Sequence, residues 1–514
     1  MQDLRQSAAT LRKGIINSTR SSGDPEIDRG TYAATLDEVE RGWLVGPLPM
    51  DCLDEESLVT RRFGVKQNGK IRPIDNYLES GLNSTASAAD TITLHSADSI
   101  AAGLGYRLQR DGKCMIRRLL LKAWDLHKAY KNLPLSVEAL KDSYLVVYDP
   151  DLPGGRLFHQ RVLPFGARHS VHSFCRVSLG LWKILVCLLW VHISVYFDDY
   201  VSAEIEVLSK LCDLCVSSTF KLLGWTTSTD KEHPFDSVAK VLGLKINLEE
   251  SRVGRIFMCN TEARQQELCD SISEVLEANS LGRKTGERLR GRLQFAEAQI
   301  AGKVAGMAYK QLTRFVCAGG GSLDEPTTAA LLTLRDRVNF GSPRCISTNM
   351  MNTLHIYVDA SCEGDQVGLG GVLINEQGTR LGYFSEFASE SVISKVNPES
   401  GNPIFEFECL AIYAAVHLWR DLACGTNTVV FTDNEGALAC MIHGTSGNAY
   451  GAMIVQSTHD LCDSSFLNLW FERVNTSSNV ADDPSRGVCN ADLGRRFEVS
   501  LDEVADLALR RGGE

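Results

Sequence analysis

Two neighbouring carboxylates at the tip of a tight hairpin constrain this chain more than any other feature. VHISV (191–195) reads as a strand and YVSAEI (200–205) as its returning partner, with Tyr196-Phe197-Asp198-Asp199 between them. Adjacent like charges repel, and the pair is costly unless a cation neutralises it. RRLLLKAWDL (117–126) reads as a further buried strand that ends in Asp125. Three carboxylates on neighbouring strands suit two-metal phosphoryl transfer, in which two ions about 3.5–4 Å apart activate an attacking hydroxyl and stabilise the leaving oxygen. Mg²⁺ takes oxygen ligands, which carboxylates supply. An isolated Asp-Asp in a turn is usually a solvated loop, so the hairpin needs the company of other blocks.

A second acidic set lies further along. IYVDAS (356–361) places Asp359 in a strand, with VGLGGVLI as its paired strand. FEFECLAIYAAVHLW (405–419) has the apolar density of a buried helix, with Glu408 near its start. VVFTDNEGAL (429–438) is a strand ending in Asp433 and then a helix start, and NVADDPSRG (479–487) closes the set.

The first set does not stand alone. VTRRFGVKQNGKIRPIDNYLESGLN (59–83), DLHKAYKNLPL (125–135), LPFGARHSVHSF (163–174), YFDDYV (196–201), LGWTTSTDKEHP (223–234) and KVLGLKINL (240–248) occur in this order. Together, over roughly residues 40–310, they resemble the successive blocks of a reverse transcriptase. The resemblance implies that Asp125, Asp198 and Asp199 bind metal, the last being the least directly involved. It implies that Arg72 contacts the incoming triphosphate, assisted by Lys66 or Lys70, and that Tyr130 is the steric gate against a 2′-hydroxyl. That gate works by shape rather than charge. Phe165 and Gly166 match the block beneath the templating pair, and Phe197 joins this substrate-binding set. Lys231 matches a general acid toward pyrophosphate; the plainer reading is a solvated loop lysine.

The order Asp359, Glu408, Asp433 and Asp482 on strand, helix, strand and final helix resembles ribonuclease H. There the carboxylates bind two Mg²⁺ ions that cleave the RNA strand of a hybrid. Asp483 competes with Asp482 for the fourth role, and FERVNTSSN (471–479) lacks the loop His of many cellular relatives. The two units together imply an RNA-directed DNA polymerase with ribonuclease H activity from a retrotransposon, DIRS-like or gypsy-like. The implied cofactor is Mg²⁺, two ions per active site, with Mn²⁺ as the alternative. The implied partners are an RNA template, a DNA primer, dNTPs, the RNA/DNA hybrid and other segments of a retroelement polyprotein. Arg283, Lys284, Arg288, Arg290 and Arg292 in LGRKTGERLRGRLQF either neutralise phosphates along a duplex or form a solvated helical face.

The expected fold is therefore an α+β multidomain chain. A right-hand polymerase with fingers, an antiparallel palm sheet and a helical thumb or connection precedes an α/β ribonuclease H-like domain with a mixed sheet. The expected boundaries are a 1–50 N-terminal extension, 51–255 fingers and palm, 256–345 thumb or connection, 353–490 ribonuclease H-like domain and a 491–514 tail. With 44% hydrophobic and 23% charged residues in 514, disordered and collagenous classes are excluded. The 53 Lys and Arg against 64 Asp and Glu give −11, and seven of the negative charges belong to the proposed metal sites. The 16 Cys are scattered, as in a chain of reduced thiols in cytoplasm or nucleus. Cys212 and Cys215 form a CxxC without a second pair, so they read as core residues of a helix. The N-terminus lacks an apolar signal core. The most apolar stretch, Leu179 to Val195, holds Lys183 and His192 and reads as a buried helix followed by a strand, not a membrane span. A nucleic-acid-binding scaffold with dead sites, or a truncated copy, is the competing expectation. Acidic residues at all seven expected positions favour catalysis.

Overall fold

The computed structural model describes residues 2–509 apart from 68, 89, 113–116, 229–231, 301–302, 349–352, 365 and 397–402. It divides into two compact units, Met1–Gly103 with Leu119–Asp236, and Leu104–Arg118 with Ser237–Glu514.

The first unit opens with helices α1 (Gln2–Gln6), α2 (Ala8–Ser18) and α3 (Pro25–Glu40). Asp24 caps α3 by accepting the Glu26 N–H, and Pro25 fills its first turn, where a missing N–H costs nothing. Strands β1 (Leu44–Leu48), β2 (Val59–Gln67) and β3 (Lys70–Asp75) follow, then helix α4 (Ala97–Gly112), whose residues from Leu104 on belong to the second unit. Next come β4 (Leu119–Asp125), the short α5 (Val137–Leu140), β5 (Tyr144–Tyr148) and β6 (Gly155–Gln160). The unit ends with α6 (Arg168–Cys187), β7 (Ile193–Tyr196), β8 (Asp199–Ile205) and α7 (Glu206–Leu222).

Two sheets result. One has the order β1-β6-β5-β2-β3, antiparallel except where β2 lies parallel to β5; α3 packs on β2 and β3. The other is the antiparallel sheet β4-β8-β7. Phe174, Leu181 and Leu185 of α6 and Cys212, Val216 and Phe220 of α7 recur at helical spacing and are buried with Val195 and Tyr200. Cys212 is thus a core residue. The apolar stretch Leu179–Val195 divides between the end of α6 and the start of β7, and among the described residues no helix is long and apolar enough to cross a membrane.

The second unit begins with β9 (Val238–Val241), β10 (Leu244–Asn247) and β11 (Arg255–Asn260), which with β14 (Arg344–Ser347) make an antiparallel sheet of order β14-β11-β10-β9. Between them run α8 (Glu262–Glu277), α9 (Arg283–Glu297), α10 (Gly306–Cys317) and α11 (Glu325–Phe340) around one apolar core, with the small β12 (Ser280–Gly282) and β13 (Gly320–Ser322) pair at their ends.

A mixed six-stranded sheet follows. Its strands are β15 (Thr353–Glu363), β16 (Gln366–Asn375), β17 (Arg380–Phe387), β18 (Asn427–Thr432), β19 (Asn468–Arg473) and β20 (Arg495–Arg496), in the order β19-β18-β15-β16-β17-β20. β15, β16 and β17 are antiparallel, whereas β18 is parallel to both β15 and β19. Helices α12 (Glu390–Val396), α13 (Ile404–Ala423), α14 (Glu435–His443), α15 (Ala449–Ser464), α16 (Asp482–Ser485) and α17 (Leu501–Ala508) complete the unit. Helix α13 is buried without a break from Glu406 to Val416, which explains why its sequence is apolar almost all round.

Residues 495–508 belong to this core. β20 extends β17, and Leu501, Val504, Ala505 and Ala508 of α17 bury themselves with α13. Leu501→Ala is expected to destabilise the chain by about 2–3 kcal/mol, as for other buried leucines. A urea midpoint unchanged from the parent would show that α17 contributes nothing to the core.

Candidate active sites

The hairpin is built as the alternation of its strands requires. Tyr196 pairs with Asp199, leaving Phe197 and Asp198 as a two-residue turn. Phe197 takes a left-handed φ of 52°, a conformation that costs a bulky residue energy and needs outside support. Ser178 on α6 provides it, donating to the Phe197 carbonyl at 2.5 Å and lying 2.9 Å from the buried Tyr200 hydroxyl.

β4 then brings in the third acid. Asp125 stands directly opposite Asp199 in the antiparallel register, so both side chains leave the same face of the sheet. The Leu126 N–H donates to the Asp198 carbonyl at 3.0 Å, which ties the turn to the end of β4. The Asp125 carboxylate accepts the Ser228 hydroxyl at 2.5 Å. Ser228 is a supporting residue that sequence reading missed. It lies two residues beyond Trp225-Thr226 in a block read only for Lys231, and Lys231 itself lies outside the described residues.

Tyr130 sits in the 3₁₀ turn Ala129–Asn132 after β4. Its ring stacks on Phe174 at 4.7 Å and touches Phe165 at 5.1 Å. Burial above all, with Cys175 and Asp198 nearby, raises its phenol. Gly166 has φ +100°, and a Cβ there would stand 2.4 Å from the Asp75 carbonyl oxygen, so only glycine fits.

The β2–β3 hairpin separates two of the expected triphosphate contacts. Arg72 pairs with Val65 and Lys70 with Gln67, while Lys66 pairs with Ile71. Side chains alternate between faces, so Arg72 and Lys70 share one face and Lys66 leaves from the other, where it binds Glu26 of α3 at 2.6 Å. On α9, Lys284 and Arg288 are exposed, Arg283 pairs with Glu287 at 3.0 Å, and Arg292 pairs with Glu267 at 2.7 Å. Arg290 is half-buried. The buried face of α9 is Gly286, Leu289, Leu293 and Ala296.

The C-terminal carboxylates converge more tightly. Asp359 on β15, Glu408 on α13 and Asp433 after β18 each offer an oxygen within 4.8 Å of the others. Among the described residues this is the one acidic cluster drawn that close; the hairpin aspartates are adjacent by register but not so gathered. Asp359 and Glu408 are 5% and 4% exposed. Burial first, then the charges of Asp433 and Asp482, pushes the Asp359 carboxyl up to about 6 against the pull of its Ser485 hydrogen bond. Burial first, then Asp359 and Asp433, pushes Glu408 up to about 9. An oxygen-only cluster with this much mutual repulsion is what a hard divalent cation relieves.

Its supports are also specific. Ser485 donates to Asp359 Oδ2 at 2.6 Å, and the Asn479 amide donates to the Val358 carbonyl at 2.9 Å. Thr432 lies 3.5 Å from Glu408 Oε2. The turn that carries Asp482 rests on the glycines of β16, where a Cβ at Gly370 would stand 2.4 Å from the Ser485 nitrogen. Asp482 is half-buried and held by Arg486 at 3.1 Å, whereas Asp483 is exposed. Arg486 also pairs with Glu363.

Comparison with known proteins agrees with this geometry at the level of fold. No protein-family profile and no curated protein matches the chain. Among solved structures, it is similar to the foamy viral protease-reverse transcriptase dRH in complex with double-stranded DNA. That likeness has a TM-score of 0.50 and 16% identity over 90% of this chain and 73% of the other. The foamy viral enzyme with dsDNA gives 0.49 and 16% over 90% and 87%; with an RNA/DNA hybrid it gives 0.48 and 14% over 97% and 64%. The chain therefore has a reverse-transcriptase-like fold, an α+β architecture of several sheets and helices that ends in a mixed six-stranded sheet.

The raised Glu408 value sets a sign for the metal-free chain. The folded state binds that proton more tightly than the unfolded state, so its contribution to stability is full below about 4.5 and is lost as pH rises toward about 9. In chelator, Glu408→Gln should remove this slope and be the more stable protein above pH about 7. Parallel unfolding curves for parent and variant from pH 5 to 9 would contradict it.

Proposed function

We propose that this chain is an RNA-directed DNA polymerase of a DIRS-like or gypsy-like retroelement, with a ribonuclease H that degrades RNA in RNA/DNA hybrids. The observation that carries the reading is that one chain holds two separate carboxylate sets, each within its own unit: Asp125/Asp198/Asp199 on β4 and the β7–β8 hairpin, and Asp359/Glu408/Asp433 on β15, on α13 and after β18. A structural neighbour bound to double-stranded DNA supports nucleic acid as the partner.

In the polymerase site, Asp125 and Asp198 hold the metal pair and Asp199 adds its charge from the next position. Bound Mg²⁺ or Mn²⁺ supplies charge neutralisation and an activated oxygen nucleophile in both sites. Arg72, with Lys70 on its face, takes the triphosphate as a planar, bidentate partner. Lys66 is turned to α3 and serves that hairpin instead. Tyr130, backed by Phe165, Gly166 and Phe174, closes the space a 2′-hydroxyl would need, and Phe197 shapes the hairpin tip. Lys231 protonates the leaving pyrophosphate. Lys284, Arg288 and Arg290 follow the duplex phosphates, and Arg283 and Arg292 do so after exchanging their glutamate partners.

In the ribonuclease site, Asp359, Glu408 and Asp433 hold the ions and Asp482 is the fourth ligand. The charge of Asp482 is among those that raise the Asp359 carboxyl, which favours it over Asp483 for that role. Ser485 and Asn479 orient Asp359. The setting is intracellular, cytoplasmic or nuclear, within or beside other segments of the retroelement polyprotein.

Primer extension on an RNA template with dNTPs tests both halves. Asp198→Asn should lower extension by roughly 10²–10³-fold and spare RNA cleavage, and Asp433→Asn should do the reverse. A folded, hybrid-binding chain that neither extends nor cleaves would make it a scaffold.

A further inference from the structure

Helix α3 buries an unusual face: Asp28, Thr31, Thr35 and Glu38, at helical spacing but polar. Buried polar groups need partners, and Glu38 has two cations. Its Oε2 accepts from Arg62 Nη1 at 2.9 Å, and its Oε1 lies 3.0 Å from Lys131 Nζ. Arg62 also grips Asp75 with two nitrogens, Nε to Oδ1 at 2.7 Å and Nη2 to Oδ2 at 3.1 Å. The side chains of Arg62, Asp75 and Lys131 are 1%, 2% and 2% exposed. Two cations and two anions thus close a neutral buried quartet across α3, β2, β3 and the turn after β4.

Both arms of the quartet end at the Tyr130–Phe165 contact. Lys131 follows Tyr130 in the chain, and its ammonium lies 5.8 Å from the centre of the Phe165 ring. Asp75 supplies the carbonyl against which Gly166, the residue after Phe165, is packed. Glu38 therefore fixes the Tyr130 side, Asp75 fixes the Phe165 side, and Arg62 joins them. An apolar cluster of similar volume would hold these elements together as well or better, because burying charge is expensive. What directional charge pairs add is a single geometry.

Resting on the polymerase reading above, we infer that the Glu38–Arg62–Asp75–Lys131 quartet positions Tyr130 and Phe165 and so sets discrimination between deoxy- and ribonucleoside triphosphates. None of the four touches the nucleotide; they are positioning residues. A gate that acts by shape fails when its ring gains a fraction of an ångström of freedom.

The test is kcat/KM for dATP and for ATP on a primed RNA template. Lys131→Met and Glu38→Gln should each cut the dATP/ATP ratio about tenfold, while Lys131→Arg keeps it within about twofold. In a Tyr130→Val background, where the gate is gone, Lys131→Met should change the ratio by less than about twofold. Melting temperature and primer–template affinity identify variants that have not folded; Glu38→Gln decides if Lys131→Met is among them. An unchanged ratio in a folded variant, with both nucleotides slowed alike, would overturn the inference. So would Tyr130→Val with full discrimination, which leaves the polymerase reading standing. An unaltered chain that extends with neither triphosphate would overturn both.

Discussion

Carboxylates repel one another, and both units of this chain hold theirs together in spite of it. In the second unit the repulsion is paid in protons: Glu408 rises to about 9 and Asp359 to about 6 because burial and neighbouring anions disfavour their charged forms. The scaffold that enforces this is a large apolar core, in which α13 is buried from Glu406 to Val416 and β15 is held by strands on both sides. In the first unit the enforcement is by backbone. Register sets Asp125 opposite Asp199, and the turn that follows from the same register carries Asp198.

Neutral donors supply the fine placement in each case. Ser228 holds Asp125, Ser485 holds Asp359, and Ser178 holds the strained turn at Phe197. A hydroxyl can satisfy one lone pair without neutralising the charge, which leaves the carboxylate able to take a cation. The quartet around Arg62 works in the opposite way. Its charges cancel internally, so it attracts nothing and serves only to fix position.

Sequence reading reached the elements more easily than their supports. Asp125, Asp359 and Asp433 each close an apolar run, so the strands that carry them, and the fold, were legible from local pattern. The α13 segment was legible for the same reason. The contacts from Ser228 to Asp125 and from Ser485 to Asp359 span 103 and 126 residues, and no local period encodes them. Lys66 and Lys70 stay alternatives in the sequence because the hairpin register, which decides the face, depends on a turn that spacing alone does not specify. The polar inner face of α3 reads as solvated surface until Arg62 and Lys131 are seen beneath it. The 491–514 tail reads as charged and helical, and α17 is there, but that its apolar residues at 501, 504, 505 and 508 pack into the core depends on contacts with α13 that no local period encodes.

The proposed function requires two independent divalent-cation sites, one in each unit. Mn²⁺ titration followed by electron paramagnetic resonance, at pH 8 with an RNA/DNA hybrid bound, counts them directly. Asp359→Asn is expected to remove one class of bound ion and Asp125→Asn the other, each leaving the second class at its original affinity. Variants that lose both classes together, or neither, would contradict it.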